Sequence, residues 1–595
     1  MPLSIVHRLL SWSRRIDPYL WLVLAFSLFA VMPLAGPNYF FDAHDAPNTV
    51  FFLTEFDAAL RDGVWYPGWA TDQALGYGYP TFVLYSPLAY YAAEGFHLLG
   101  AGKVAAVKWT WALATVGAGL AMYAFAKQNE RITARRAALL AAVVYVYAPY
   151  HLLDIYVRAA LAEYVAFVWM PLALLTFHRL LEEPSARRLG LAALAFGALW
   201  LSHNVTALAF TPFLAAYVLF RLLVEGKVAW RLLIKRAAAA LSSSLLGLGI
   251  AAALILPNLL EREFINQEQW VQAGYDYAQH FVQPAHFLSA AWGYAPGPPG
   301  TQSGMSFQLG IVPFLLATVT VVGAFRRPAR ERARIVFFAA ALILQLFFML
   351  PVSVPLWEWL PLAALIQFPW RLMSLMAVVL AVLSGLAIPN DQHSVSHILV
   401  LLVVIVLASF PYTLPQHTPI PESAEGPLLS IEFELEYTDM RGMTYWTEEM
   451  PPDSPLVAQY LAGQPLVTAE ALAPGASVEM IRAGGASDEL WVRSAEGTVL
   501  RFYTYYFPGW RVYVDGERLP DSALRPEGPY GLLTVDVPPG EHRVLLRWGD
   551  TPVRLTGKVL TLLCLGLALA LILPTGRIRG ITRSLDATSR LRSRP

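Results

Sequence analysis

Residues 40–91 read FFDAHDAPNTVFFLTEFDAALRDGVWYPGWATDQALGYGYPTFVLYSPLAYY, directly after the first apolar run. Asp42, His44, Asp45, Glu55, Asp57, Asp62 and Asp72 are interleaved there with Tyr, Trp, Gly and Pro. A plain connection between two helices is short, so this stretch is predicted to be a loop built to hold something. The decision that sets the topology falls at its end, in residues 80–100. If that segment crossed a membrane, Lys127, Arg131, Arg135, Arg136 and every later basic cluster would lie outside, against the positive-inside rule. Read instead as an interfacial helix carrying Pro80, Pro87, Tyr85, Tyr90 and Tyr91, it leaves the clusters at 187–188, 227–236, 326–334 and 577–594 in the cytoplasm.

Working outward, the 595-residue chain is 56% hydrophobic and 14% charged, with mean hydropathy +0.47. Repeated apolar runs of about twenty residues make it a polytopic α-helical membrane protein and exclude a soluble enzyme. The spans are predicted at 18–36, 104–126, 137–151, 161–181, 189–203, 204–223, 237–258, 307–325, 336–351, 371–389, 398–412 and 554–573. That is about twelve, with both termini cytoplasmic and a bacterial-type plasma membrane as the setting. Arg8, Arg14 and Arg15 precede the first run, which lacks a small-x-small cleavage site and is read as an uncleaved helix. The 43 basic and 43 acidic residues balance, which gives no nucleic-acid signature. Cys564 is the single cysteine and lies in the last apolar run, so no intrachain disulfide forms.

Three units follow: residues 1–412 as the transmembrane domain with a first outer loop at 37–103, residues 413–553 as an extracytoplasmic domain, and residues 554–595 as a final span with a basic tail. Within 413–553, SVEMIRAG (477–484), DELWVRSA (488–495), TVLRFYTYY (498–506), WRVYVDG (510–516), YGLLTVDV (530–537) and EHRVLLRWG (541–549) alternate with period two between Gly, Pro and Asp turns. This pattern predicts an antiparallel β-sandwich. Binding an acceptor glycan and covering the site are both open roles for it.

GxxxxGK[ST], GxGxxG and HExxH do not occur, so ATP-driven transport, dinucleotide chemistry and zincin hydrolysis lose their usual support. An outward-facing site without nucleotide machinery points to a donor already activated in the membrane, such as a polyprenyl-phosphate sugar. Asp42 and Asp45 fall just past the first helix, at headgroup depth, where a carboxylate can deprotonate an acceptor hydroxyl. Polar interfacial loops and helix capping are the competing explanation for them. Arg158, Arg371 and Lys108 are candidate cations for a departing phosphate; an arginine fork suits phosphate geometry. Arg158 is equally placed to pair with Asp154 or Glu163. His203 and Asn204, in LWLSHNVTALAF, lie at an outer hairpin. The substrate-binding candidates are therefore His44, Tyr85, Arg158, Glu163, His203, Asn204, Gln367 and Arg371. A divalent metal, Mg2+ or Mn2+, has only Asp42, His44 and Asp45 as candidate ligands.

FFDAHDAP (40–47), residues 62–91, LSHNVTAL (201–208) and LIQFPWRLM (365–373) together resemble the bacterial membrane proteins known as 6-pyruvoyl-tetrahydropterin synthase-related. YFPGWRVYVDGERLP (506–520) followed by a final span is similar to the C-terminal part of YfhO-type proteins. Both groups resemble the GT-C superfamily of polyprenyl-phosphate-dependent glycosyltransferases. That resemblance implies a catalytic Asp in the first outer loop, best matched by Asp45 with Asp42 second, and a post-loop helix matched by Tyr85, Pro87 and Leu88. The pterin-synthase reaction itself uses a three-histidine zinc site, and no clustered His-x-His occurs here, so the label is a name and not an activity. Two functions compete. One is an inverting transferase moving a sugar from a lipid carrier to an extracytoplasmic glycan, lipid or protein. The other is a non-catalytic polysaccharide transporter, flippase or envelope scaffold. Ionisable groups crowd the outer helix ends and no internal repeat is evident, which favours the transferase.

Overall fold

The computed structural model describes residues 17–128, 132–224, 229–271, 273–295, 304–360, 362–388 and 395–573. Arg8, Arg14, Arg15, Arg131, Lys227 and the 577–594 tail, on which part of the topology reading rests, lie outside the described residues.

Among the described residues, seven helices are long and apolar enough to cross a membrane: Lys103–Ala126, Leu161–Glu182, Asn204–Leu223, Trp230–Ile250, Pro369–Leu386, Ser396–Thr413 and Pro552–Ile572. Two bent pairs raise the number to nine, Ala134–Val146 with Pro149–Tyr156 at 40° and Ala329–Phe348 with Pro351–Trp359 at 88°. Twelve spans therefore exceed what length and composition establish. The three in excess fall on the shorter helices Pro18–Ala30, Ala186–Ser202 and Ile311–Gly323. Ala186–Ser202 nonetheless sits deep among its neighbours. A Cβ added at Gly197 would lie 2.9 Å from the Gly247 carbonyl, and one added at Gly247 would lie 3.0 Å from the Ala193 carbonyl. Small residues at this spacing let two apolar helices approach backbone to backbone.

The helix predicted over 137–151 is broken within that range. Helix Ile132–Val146 stops early and a second helix, Pro149–Tyr156, runs on from it with Pro149 in its first turn. The proline lacks an N–H to continue the first helix and its ring excludes a helical predecessor, which fixes the break. Residues 80–100 form two short helices, Thr81–Leu84 and Leu88–Leu98, neither long enough to cross a bilayer.

The predicted 413–553 unit divides in two. Residues 413–468 carry short helices, among them Leu428–Glu436 and Pro455–Leu461, and contain no named strand. The sheet region begins at Ala469: β1 Ala469–Ala471, β2 Ser477–Ala483, β3 Ser487–Ser494, β4 Thr498–Tyr505, β5 Trp510–Val514, β6 Glu517–Arg518, β7 Arg525–Glu527, β8 Leu532–Val537 and β9 Gly540–Trp548. One sheet runs β1-β4-β8-β7 and the other β2-β3-β9-β5-β6, with every pairing antiparallel. Leu490, Val492, Val512, Val544 and Leu546 of one sheet share a core with Leu500, Phe502, Leu533 and Val535 of the other. Inward apolar and outward polar residues alternate as a pleat demands.

Much of the first loop is spent on holding this β region. Trp69 is fully buried against Trp548 and Trp510, with ring centroids 5.1 and 5.3 Å away. Asp62 accepts from Arg482 at 2.6 Å, from the Ser487 hydroxyl at 2.6 Å and from the Ala486 amide at 3.0 Å. The final helix is tied in by a buried ion pair, Arg554 Nε to Glu261 Oε2 at 2.7 Å, while Arg554 Nη2 donates to the Pro508 carbonyl at 2.8 Å. The membrane helices, the first loop and the β region thus pack as one body.

Candidate functional site

Asp45 is placed by its backbone. The His44 amide donates to the Val157 carbonyl at 3.1 Å and the Asp45 amide donates to the Arg158 carbonyl at 2.8 Å. This short ladder brings a residue of the first loop against a residue that follows helix Pro149–Tyr156. Asp45 is also the N-cap residue of helix Ala46–Arg61, yet its carboxylate makes no capping hydrogen bond. A capping Asp would normally accept from the second or third helical amide, so this carboxylate is not consumed by the helix it precedes. The positive end of the helix dipole still favours a negative charge there.

Across from it lies a buried charge network. Arg158 Nη1 donates to Glu163 Oε2 at 2.7 Å, to Asp154 Oδ1, and to the Tyr150 hydroxyl at 3.0 Å. Tyr150 in turn donates to Glu163 Oε1 at 2.9 Å. Arg371 Nε lies 3.8 Å from the same Glu163 Oε2, and Arg371 Nη1 donates to Gln367 Oε1 at 2.9 Å and to the Ile366 carbonyl at 3.0 Å. Glu163 is thus the shared counter-ion of two arginines. Arg158 lies over the Trp370 ring at 4.8 Å and Arg371 over the Phe368 ring at 4.8 Å, so apolar faces cover both guanidiniums. Arg371 Nε is buried and has no hydrogen-bond partner among the described residues.

Tyr85 reports how these charges converge. Burial raises its phenol well above the ordinary value; the Asp45 charge adds to this, and the Arg371 and Arg158 charges oppose it. Tyr275 is pushed up to about 12, first by burial, then by Asp439 and Asp45, with Arg371 opposing. Burial pulls His44 below its ordinary value against the favouring Asp45 charge, and its Nε2 lies 3.2 Å from the Tyr294 carbonyl. The charges of Asp45, Arg158 and Arg371 thus all reach Tyr85, and those of Asp45 and Arg371 reach Tyr275. Two backbone positions beside these arginines are strained: Ala159 has φ 52° and Gln367 has φ 60°. A left-handed conformation costs a non-glycine residue about 1–2 kcal/mol and tends to gather at functional sites. Here one such residue follows Arg158 and the other contacts Arg371.

Not every candidate joins in. Asn204 donates its side-chain amide to the Leu84 carbonyl at 3.2 Å and its backbone amide to Ser86 Oγ at 3.0 Å, which fastens the chain on both sides of Tyr85. His203 caps helix Asn204–Leu223 through Nδ1, 2.8 Å from Thr206 Oγ1, but it is buried within electrostatic reach of Glu163, Arg371 and Arg158 and so stays with the charge network. Lys108 is bound to the Gly36 and Asn38 carbonyls at 2.8 and 2.7 Å. Asp42 is exposed, at a crevice of about 10 Å³ with Phe40, Tyr156, Tyr294 and Gln416, room for no more than a water. The candidate metal set Asp42, His44 and Asp45 is corrected: among the described residues no three His, Cys, Asp or Glu are grouped to hold a metal ion. Asp42 faces its own crevice and His44 is taken up by Tyr294, so the three do not converge. Tyr150, Asp154, Trp370 and Tyr275 are site residues that the sequence reading did not single out as binding groups. The i, i+4 spacing of Asp154 and Arg158 was their visible trace.

A family model for the 6-pyruvoyl-tetrahydropterin synthase related domain, a membrane protein family, matches residues 82–416, more than half of the chain. The chain belongs to this family. The matched span contains Tyr85, Arg158, Glu163, Gln367 and Arg371, and Asp45 precedes it. No curated protein matches the chain.

Proposed function

We propose that this family member is a membrane glycosyltransferase of the GT-C type, using a polyprenyl-phosphate sugar as donor and an extracytoplasmic glycan, lipid or protein hydroxyl as acceptor. In this reading the chain crosses the bilayer twelve times with both termini in the cytoplasm, and the Asp45 neighbourhood and the β region face outside. Asp45 takes the proton of the acceptor hydroxyl while that oxygen bonds to the anomeric carbon. The bond from that carbon to the phosphate oxygen breaks, the electron pair leaves with the lipid phosphate, and the sugar's configuration inverts. Arg371 and Arg158 stabilise the phosphate as its charge grows, Glu163 and Asp154 hold the two guanidiniums in place, and Tyr85 stands within electrostatic reach of base and cations alike.

One observation carries the reading: a buried Arg371 Nε that lacks an acceptor, in the field of an aspartate that its own helix leaves uncapped. An unmade buried donor is costly, and a phosphate oxygen supplies what it lacks. A second support is that the positive charge a metal would bring to a phosphate is already present in two arginines.

The test is sugar transfer in proteoliposomes, with a panel of polyprenyl-phosphate hexoses as donors. Asp45→Asn is expected to lower turnover by roughly 100-fold or more, the worth of a general base, with folding intact; Asp42→Asn is expected to lose far less. A wild-type protein that carries the lipid-linked sugar across the bilayer without cleaving it would return the chain to the transporter reading.

A further inference from the structure

Helix Ala46–Arg61, whose N-cap is Asp45, carries a second carboxyl further along that the proposed reaction leaves unused. Glu55 is 1% exposed. Its Oε2 accepts the Asp72 amide at 3.2 Å, while its Oε1 is buried with no hydrogen-bond partner among the described residues. The partly buried Asp72 carboxyl lies beside it within hydrogen-bonding reach and accepts from the Tyr460 hydroxyl of helix Pro455–Leu461. No neighbouring element brings a cation into contact with this pair. Lys103, whose charge reaches Asp72, donates its Nζ to the Glu425 carbonyl at 3.0 Å and makes no ion pair with either carboxyl among the described residues. Arg441 is taken up by the Glu434 and Pro451 carbonyls at 2.9 and 2.8 Å. Glu94 and His97 of helix Leu88–Leu98 face Asp57 and Arg61, on the other side of the helix from Glu55. What surrounds the pair is further negative charge: the Asp72 charge reaches Glu434, and that of Asp488 reaches Tyr460.

Two carboxylates this close, one of them out of water and neither paired with a cation, cannot both ionise without a large cost. A proton on Glu55 Oε1 removes that cost and gives the orphaned atom its partner: as an acid it donates to Asp72, which then accepts from Glu55 and Tyr460 together. The turn that follows Asp72 is strained. Ala74 has φ 52° and Leu75 has φ 59°, and their amides are held by Glu434 at 2.9 and 2.7 Å. Left-handed non-glycine residues persist only where the surroundings fasten them. We propose that Glu55 and Asp72 share one proton and form a pH-sensitive latch, which fastens the helix that presents Asp45 to helix Pro455–Leu461 and opens as the proton is lost. The latch stands whichever reaction Asp45 serves. Burial and then the Asp72 charge raise the Glu55 acid well above its ordinary value of 4.5. An acid raised in this way binds its proton more tightly in the folded chain than in the unfolded one, so the latch contributes fully below that value and weakens as pH rises above it.

Glu55→Gln in the full-length protein is a permanent copy of the protonated acid: its side-chain NH2 donates to Asp72 and its carbonyl accepts the Asp72 amide. The variant is expected to melt with the wild type at pH 5 and roughly 3 °C or more above it at pH 8, a gain that misfolding cannot produce. Glu434 is present in both proteins, so its own pH dependence cancels. Hydrogen exchange, corrected for its intrinsic pH dependence, should show the amides of 72–78 and 455–461 losing protection between pH 6 and pH 9 in the wild type and keeping it in Glu55→Gln. The wild-type minus variant infrared spectrum at pH 6 should contain the carbonyl stretch of one buried, protonated carboxylic acid. Absence of that band, a Glu55→Gln protein that melts no higher than the wild type at pH 8, or equal exchange in the two proteins at pH 9 overturns the proposal.

Discussion

Replacing Glu163 with glutamine removes one negative charge while keeping size and most of the hydrogen bonding. In the structure this carboxylate accepts Arg158 at 2.7 Å and Tyr150 at 2.9 Å and sits 3.8 Å from Arg371 Nε. The side chains of Glu163, Arg158 and Arg371 are only 1%, 5% and 15% exposed, so water cannot compensate the loss. Breaking a buried pair by removing one partner costs about 3–5 kcal/mol. Glutamine still accepts from Tyr150, and Asp154 still faces Arg158, which puts the expectation at the lower end, about 3 kcal/mol. At about 2 °C per kcal/mol for a large domain, the apparent melting temperature should fall by roughly 6 °C. Differential scanning fluorimetry in detergent reads this directly. Arg158→Met in the Glu163→Gln background should then cost less than the two single losses combined, because the second change removes a charge that has already lost one of its two carboxylate partners. A fall below about 1 °C, or additivity in the double variant, would refute Glu163 as the shared counter-ion.

Glu434, buried where it accepts the Ala74 and Leu75 amides, is raised by burial to about 7. An acid raised in the folded state binds its proton more tightly there than when unfolded, so stability falls as pH rises from about 4.5 to about 7 and levels off above. Melting curves at pH 5 and pH 8 should differ in that sense for the wild type, and Glu434→Gln should flatten the difference. Gly78→Ala should destabilise strongly, since φ is +76° and the added Cβ would lie 2.2 Å from Trp69 Nε1, whereas Gly63→Ala, at φ +85° in open space, should cost only about 1–2 kcal/mol; equal melting temperatures would contradict the packing of Trp69. Arg371→Lys keeps the charge but loses the planar fork, so it should weaken lipid-phosphate binding in native mass spectrometry while leaving the melting temperature nearly unchanged.

The strands were legible because a two-layer sheet writes period two into the chain: β2, β4, β5 and β8 each fall within a run picked out by alternation, and β3 and β9 each begin one residue before theirs. The helices of 413–468 were not, since short helices capped by prolines and packed on a loop have no periodicity long enough to read. Membrane helices announce themselves by apolar length, and for the same reason Ala186–Ser202, held by glycine contacts more than by length, escapes a count made on length alone. Within the candidate site, residue type pointed to Asp45, Arg158, Glu163 and Arg371 as candidates, and the pairing of Arg158 with Asp154 or Glu163 was readable from spacing; the structure makes both pairs at once. What spacing could not show is that Glu163 also serves Arg371, more than 200 residues away in the chain, or that Asp62 and Asp72 are structural. Asp62 binds Arg482 of the β region, and Asp72 is held by Tyr460 and Glu55. An acidic loop looks the same in sequence whether its carboxylates meet substrate or protein.

The central claim is that Asp45 and Arg371 share one site for a lipid-linked phosphate. Electron cryomicroscopy of the full-length protein with a polyprenyl phosphate tests it most directly. The account predicts phosphate density within hydrogen-bonding distance, about 3 Å, of Arg371 Nε, on the side that Asp45 and Tyr85 face. Phosphate density elsewhere on the protein, with Arg371 Nε still unpartnered, would contradict it.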